Sequence, residues 1–334
     1  MAKISIIIPC YNAQKTIDSC FRSLENQTIG MHNLEVIFVN DASTDGTLGC
    51  LLDFEKKYPE NVLVVNCEKN GRQGKARNIG LSYATSEYVG FADDDDTFEP
   101  EMFQSLYQKA RDYRCDVVMC KYDTWEMNER KSADGFCDSI SEKSDVFYEI
   151  TNTEERLAFI TMSLPWVIWI KIYRKDLIME NQIWFPEGYI YDDICFTELI
   201  YQYVQRIYMI DEIFYHHMLQ EKSASIDPDR IDDMMGFLDV HLIMLQELKD
   251  RNKYEPYKNT YNEILMRNTI GLVETYLRRY GKIKDDVFLE IKRKILPYRQ
   301  EFINNPLLKK IWNADDRDLH KKIAYLLTDQ QINI

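Results

Sequence analysis

The sequence predicts an α/β fold, a mostly parallel sheet with helices on both faces, followed by a C-terminal all-helical module. Three observations carry this. Short apolar, β-branched runs alternate with helical periodicity through residues 1–122, and the texture turns wholly helical after about Pro228. The 334 residues, 45% of them hydrophobic, suffice for about two cores. The expected domains are 1–227 and 228–334.

Taken in order, the strand-like runs are residues 4–8, 36–39, 62–65, 88–91 and 117–122. Between them Ile17, Cys20, Phe21 and Leu24 mark one helical face, Leu48, Leu51 and Leu52 a second, and Met102, Phe103, Leu106 and Ala110 a third. Continuous apolar runs separated by amphipathic helices indicate buried parallel strands in βαβ units. Residues 123–149 turn polar and read as a long loop. Strand-like runs return at 166–173 and 207–210, with a helix beginning near Asp193 and running through Leu199 and Tyr203. Further on, Ile231, Met235, Leu238, Leu242, Leu245 and Leu248 trace one helical stripe. A longer helix spans about 257–280, with Gly281 placed as its left-handed terminator, and Pro297 and Pro306 interrupt the C-terminal stretch beyond it.

Lys and Arg total 41 against 55 Asp and Glu, a formal charge of −14, which argues against a nucleic-acid binder held by phosphate contacts. The excess is local: residues 221–334 hold 20 basic and 19 acidic groups, leaving 21 and 36 before them. The eight cysteines form no CxxC pair and read as reduced core thiols of a cytoplasmic protein, rather than as a disulfide framework or zinc site. No apolar stretch approaches the ~20 residues of a membrane span, and the N-terminus is too short and polar for a signal peptide.

In open parallel sheets ligands bind beyond the carboxyl ends of the strands. Four polar clusters follow four strands: Pro9-Cys10-Tyr11-Asn12, the segment from Asn40 to Thr47, the segment from Glu68 to Asn78, and Asp93-Asp94-Asp95-Asp96. Four consecutive aspartates repel one another, and a divalent cation relieves that. The plainer alternative is an acidic turn, with Asp96 or Thr97 capping the helix near Pro100. An EF-hand is excluded, because Phe98 stands where its glycine is required. The Gly71 to Lys75 stretch is too short for a Walker A loop, yet it sets Lys75 and Arg77 beside the acids.

Together these clusters resemble the family 2 glycosyltransferases with the GT-A, Rossmann-like fold. The matching text is Ser5-Ile6-Ile7-Ile8-Pro9-Cys10-Tyr11-Asn12, then Phe38-Val39-Asn40-Asp41-Ala42-Ser43-Thr44-Asp45-Gly46-Thr47, then Gly74-Lys75-Ala76-Arg77-Asn78-Ile79-Gly80, and Asp93 to Asp96 at the Asp-Xaa-Asp position. It continues more weakly through Trp169-Ile170-Lys171-Ile172-Tyr173-Arg174, Asp192-Asp193-Ile194-Cys195-Phe196, and Tyr215-His216-His217 with Ser223. Asn40, Ala92 and Asp192 depart from the common Asp, Leu and Glu.

The resemblance implies an inverting hexosyltransferase of bacterial cell-surface glycan or protein glycosylation type. It would use a nucleotide-sugar donor, UDP-linked by preference, and Mn²⁺ or Mg²⁺. Tyr11 would pack on the base and Asp41 bond to it, Arg77 would lie near the base or diphosphate, Asp93 would meet the ribose, and Pro9, Asn12, Lys75 and Asp94 would complete the donor site. Asp95 would hold the metal, with His216 or His217 as an optional further ligand, and Asp193 would be the general base. Alternation puts one of those two histidines inward and the other outward. Trp166 and Trp169 read equally as core or as a sugar-stacking wall. The alternative is a non-catalytic nucleotide-sugar-binding or scaffold protein on the same fold. A nucleotidyltransferase is disfavoured by the missing Gly-Thr-Arg signature, and a processive membrane synthase by the absent spans and Gln-Xaa-Xaa-Arg-Trp motif. The acceptor would be a glycan, polymer or glycoprotein. The helical module, with its basic Lys292, Arg293, Lys294 and Arg299, would serve acceptor docking or self-association, and peripheral contact with the inner membrane face stays open.

Overall fold

Apolar runs with no polar alternation must be covered on both sides, and the strands that obey this rule form the centre of the fold. A computed structural model describes residues 2–126, 129–132, 144–162, 164–219, 231–281 and 284–308. Strands β1 (Ile4–Cys10), β2 (Leu34–Asn40), β3 (Val62–Asn66) and β4 (Tyr88–Phe91) are mutually parallel, in spatial order β3-β2-β1-β4. The first, second and fourth are buried along nearly their whole length. Helices α1 (Ile17–Glu25), α2 (Thr47–Lys57) and α3 (Arg72–Tyr83) connect them. Gly80 lets α3 lie close on β1, since a Cβ there would sit 2.3 Å from Ile7 Cγ2.

The chain continues through β5 (Thr97–Phe98), α4 (Met102–Tyr113), β6 (Val117–Glu126), β7 (Glu129–Ser132), β8 (Val146–Glu149), α5 (Thr153–Ile160), β9 (Lys171–Arg174), α6 (Lys175–Glu180), α7 (Asp192–Tyr203) and β10 (Arg206–Leu219). The sheet extends as β4-β9-β6-β10-β5, with β9 antiparallel between β4 and β6, and β10 parallel to β6 but antiparallel to β5. This is the mostly parallel sheet expected, with an antiparallel insertion.

Three expectations need correction. The 166–173 run is a strand only over Lys171–Arg174, because the carbonyls of Pro165 and Val167 accept from the Lys171 ammonium, at 2.5 and 2.8 Å, and not from a neighbouring strand. The 207–210 run reaches Leu219, since register shifts between Met209 and Tyr215 break the alternation that would have shown it. The polar excursion contains β7 and β8, while residues 133–143 lie outside the described residues.

At the sheet edge opposite the strands' carboxyl ends, the buried Asp116 accepts from the amides of Gln205 and Arg206 and pairs with Arg174 at 2.9 Å. A cavity of about 650 Å³ opens here. Its Arg111 and Arg206 likewise face Glu87 and Glu149, at 2.9 and 2.8 Å.

Residues Asp227–Ile334 form a unit distinct from Met1–Ile226. It comprises α8 (Ile231–Asp250), α9 (Lys258–Tyr280), α10 (Asp285–Ile295) and α11 (Arg299–Asn304). Gly281 terminates α9 with φ 74°. Leu238, Leu245 and Leu248 are buried together with Val240 and Met244, so the covered face of α8 is wider than the predicted stripe. The basic cluster is partly neutralised, with Arg293 paired to Glu290 and Lys294 to Asp239. Among the described residues no helix is long and apolar enough to cross a membrane.

His241 is fully buried in α8, with Nδ1 2.8 Å from the Phe237 carbonyl and Nε2 2.7 Å from Asn268 Nδ2. Burial pushes its pKa down to about 4. Below about pH 6.5 an unfolded histidine takes up a proton that the folded one refuses, so stability falls as pH drops through that window. Urea unfolding of the full chain should therefore show a steeper loss between pH 7.5 and 5 for wild type than for His241→Gln. Equal losses would contradict the assignment.

Candidate active site

The parallel strands deliver four loops to one edge. Beyond the strand ends the Asp41 amide still donates to the Cys10 carbonyl and the Cys67 amide to Asn40, both at 2.9 Å, which holds the loops in register. Asn12 Oδ1 accepts from the Thr44 amide at 2.8 Å, and the Asn12 amide donates to Ser43 Oγ at 3.0 Å. Asn12, Ala42 and Arg72, with φ of 55°, 58° and 65°, are non-glycine residues in the left-handed region, the first two in the loops after β1 and β2 and the third at the start of α3. Such strain persists only where surroundings enforce it, and it concentrates at functional sites. Pro9 lies where β1 has outrun β4, whose pairing stops at Ile7, so its missing N–H breaks no ladder on that side.

Asp41 is buried and accepts from the Gly71 amide at 2.8 Å; burial raises its pKa against the pull of the Gly71 and Arg72 amides. The Tyr11 ring is 51% exposed over this edge, while its amide donates to Asp94 Oδ2 at 3.1 Å. Lys75 is exposed, and its stem passes so close to Gly71 that a Cβ there would meet Lys75 Cδ at 2.3 Å.

The aspartate turn is held by β10. Tyr215 Oη donates to Asp96 Oδ2 at 2.8 Å and accepts from the Asp93 amide at 3.1 Å, and the Met218 amide donates to Asp96 Oδ1 at 2.7 Å. Asp96 is thus no helix cap, since α4 begins only at Met102. Burial, then the charges of Asp96 and Asp93, lifts Asp95 to about pKa 7. Burial would push His217 down, but the hydrogen bond and charge of Asp96, with Asp93 and Asp95, lift it to about 9. Its Nδ1 lies 3.3 Å from Asp96, and its ring stacks on Trp169, which is itself buried and stacked on Tyr215.

Arg77 joins this turn to α7. Its Nη1 donates to both Asp192 oxygens, at 2.9 and 2.7 Å, and its Nη2 reaches Asp93 at 3.3 Å. Both Arg77 and Asp192 are almost wholly buried. Burial raises the Asp192 carboxyl, and the guanidinium draws it back toward the ionised form. Gly74 permits the approach: a Cβ there would lie 2.4 Å from the Pro186 carbonyl oxygen and 3.3 Å from the Asp192 side chain. Asp193 comes next in the first turn of α7, lifted to about pKa 7 by burial and then by Asp192, against Arg77 and Lys171. A carboxyl near pKa 7 is suited to general acid–base work at neutral pH.

One edge thus gathers Pro9, Tyr11, Asn12, Asp41, Lys75, Asp93, Asp94 and Asp95, with Arg77 linking them to Asp192 beside Asp193. Two implied roles change. Arg77 points inward to Asp192 and is a tie within the fold, not a group offered to a diphosphate. His216 is removed as a metal ligand because its Nδ1 and Nε2 already face Asp123 and Glu99, at 2.6 and 3.0 Å. Ser223 lies outside the described residues. Sequence reasoning missed the roles of Lys171, Gly74 and Tyr215, though a lysine inside the apolar run from Val167 to Tyr173 was a visible signal.

A mostly parallel sheet that brings four polar loops to one edge suits the GT-A fold. Residues 5–164 match the model of glycosyl transferase family 2. Those residues form a domain of that family. The chain is 31% identical over 225 residues to the uncharacterised glycosyltransferase YibD of Escherichia coli K12, covering 67% of this chain and 63% of that protein. It is 28% identical over 340 residues to the poly(ribitol-phosphate) beta-glucosyltransferase of Bacillus spizizenii, covering 96% of this chain and 51% of that one. The first three curated relatives it matches are all longer, and it spans 63%, 31% and 60% of their lengths. Among solved structures, S. aureus TarS 1–349 in complex with UDP-GlcNAc superposes with a TM-score of 0.70 at 25% identity, covering 97% of this chain and 91% of that one.

Breaking a buried ion pair from one side leaves the other charge uncompensated, at a cost of about 3–5 kcal/mol. Arg77→Met should lower the unfolding free energy by about that much, measured by urea denaturation. A loss under about 1 kcal/mol would mean that the pair behaves as a surface contact.

Proposed function

We propose that this protein transfers a hexose from a UDP-sugar to an acceptor hydroxyl with inversion, assisted by Mn²⁺ or Mg²⁺. The observation that carries the reading is the convergence, through Arg77, of the aspartate turn and Asp193 on one sheet edge. The UDP-GlcNAc complex of TarS supports the choice of donor. In this reading the exposed Tyr11 ring packs on the base, Asp41 with the Gly71 turn meets its polar edge, Asp93 faces the ribose, and Asp94 fixes the Tyr11 backbone.

The donor set fits a hard cation, because oxygen ligands dominate and crowded carboxylates gain from one. Asp95 would hold it, with the charge of His217 acting on the same carboxylate. No group of three side-chain ligands stands ready among the described residues, so the donor's phosphate oxygens would complete the shell. When bound, the cation would offset charge on the departing nucleoside diphosphate. Asp193 takes the proton of the acceptor hydroxyl as its oxygen attacks the anomeric carbon and the bond to the diphosphate breaks on the opposite face.

Two relatives carry names that specify poly(ribitol-phosphate) acceptors, which supports a hydroxyl-rich polymer as the acceptor here. The helical unit of residues 227–334 is assigned to docking that acceptor or to self-association.

Asp95→Asn should abolish Mn²⁺-dependent UDP binding in calorimetry while leaving the fold intact; unchanged affinity, in the variant or in chelator, would refute the metal role. Asp193→Asn should keep UDP binding and lose turnover by about a hundredfold or more. Only the ionised carboxyl acts as a base, so wild-type turnover should rise with pH through about 7 and level off above it. A rate that falls across that interval contradicts the assignment. Because burial has raised its pKa, Asp193→Asn should also leave stability at pH 8 equal or higher.

A further inference from the structure

Lys171 is the one lysine among the fully buried side chains of the described residues, at 0% exposure in the first position of β9. An ammonium withdrawn from water costs several kcal/mol unless its surroundings compensate, whereas a methionine would fill similar space without that cost. Its surroundings are specific. Nζ donates to the carbonyls of Pro165 and Val167, which bracket Trp166. Trp166 is in turn fixed to α7: its indole Nε1 donates to Glu198 at 3.1 Å, and its carbonyl accepts from Thr197 Oγ1 at 2.8 Å. The ammonium also lies 5.7 Å from the centroid of the Tyr201 ring, a third residue of α7.

We propose that Lys171 is a positioning residue for transfer, pinning the Trp166 segment against α7, the helix whose first turn carries Asp193. The proposal rests on Asp193 as the base. The charged groups acting on Asp193 are Asp192 on its own helix, Arg77 from α3, Lys171 from β9 and Asp93 from the turn after β4. Arg77 is already engaged by Asp192 and Asp93, whereas Lys171 is held by the carbonyls of Pro165 and Val167. Burial pushes the Lys171 pKa down to about 7, and the charges of Asp193 and Glu198 hold it up.

The test is the pH profile of UDP-sugar hydrolysis by the full chain with Mn²⁺, using UDP-glucose or UDP-N-acetylglucosamine, whichever the wild type turns over. Lys171→Met removes the cation. It should keep UDP affinity within about twofold, slow turnover at pH 7 about tenfold, and move the acid limb upward by about half a pH unit or more. A limb and rate like wild type overturn the proposal. Parallel loss of UDP affinity and turnover with an unmoved limb overturns it too, since a merely structural lysine would give that. Should Lys171→Met fail to fold, Lys171→Arg decides: it keeps the charge but cannot fit the paired carbonyls, so turnover falls while limb and UDP affinity stay. Unchanged turnover in Lys171→Arg overturns the pinning. Failure of the base reading shows separately, as near-normal hydrolysis by Asp193→Asn.

Discussion

One guanidinium, buried between two carboxylates, organises the site. Arg77 comes from α3, Asp192 from α7 and Asp93 from the loop after β4, so a single cation ties three elements that are far apart in sequence. Placing an arginine there is unfavourable unless its charge is compensated, and Asp192 on Nη1 with Asp93 on Nη2 supplies that. The contact with Asp192 exists because residue 74 is glycine. Any side chain there would push the Pro186 backbone away from α3, and Asp192 with it. Backbone clearance at one position thus decides whether the charge pair can form.

The aspartate turn obeys the same logic of compensation, residue by residue. Asp93 has Arg77, Asp94 has the Tyr11 amide, and Asp96 has the Tyr215 hydroxyl, the Met218 amide and His217. Asp95 is steadied by the charge of His217 and its own backbone amide. Four identical side chains therefore have four different environments, three of them half-buried at the open edge of the sheet and Asp96 buried beneath. Tyr215 and His217 reach the turn because β10 runs antiparallel to β5, which brings Tyr215 opposite Phe98 and His216 opposite Thr97.

The strands β1 to β4 and their loops were legible because continuous apolar runs admit one arrangement and the loops then share an edge. Less visible were elements defined by partners distant in sequence. β5 has two residues and no pattern of its own, and β9 is cut short by the hydrogen bonds of its own lysine. The motif resemblance located Arg77 and the two histidines but not their orientation. Whether a side chain points at a ligand or at Asp192 depends on what α7 presents, and α7 begins 115 residues further along the chain than Arg77. His216 and His217 are adjacent and chemically identical, and the strand's alternation sends one between Asp123 and Glu99 and the other over Trp169.

Asp192 and Asp193 show the same divergence with a chemical consequence. Successive residues of a helix point about 100° apart, so two adjacent acids in the first turn cannot share one environment. Asp192 turns into α3 and meets a guanidinium with both oxygens. That leaves a negative charge fixed beside Asp193, which loses water through burial and feels the charge of Lys171. The helix N-terminus favours an ionised acid, by up to ~1 kcal/mol at an exposed position, and here burial outweighs it. One carboxylate is held by structure while its neighbour keeps a proton affinity near neutrality, so the two differ in character although the sequence writes the same residue twice.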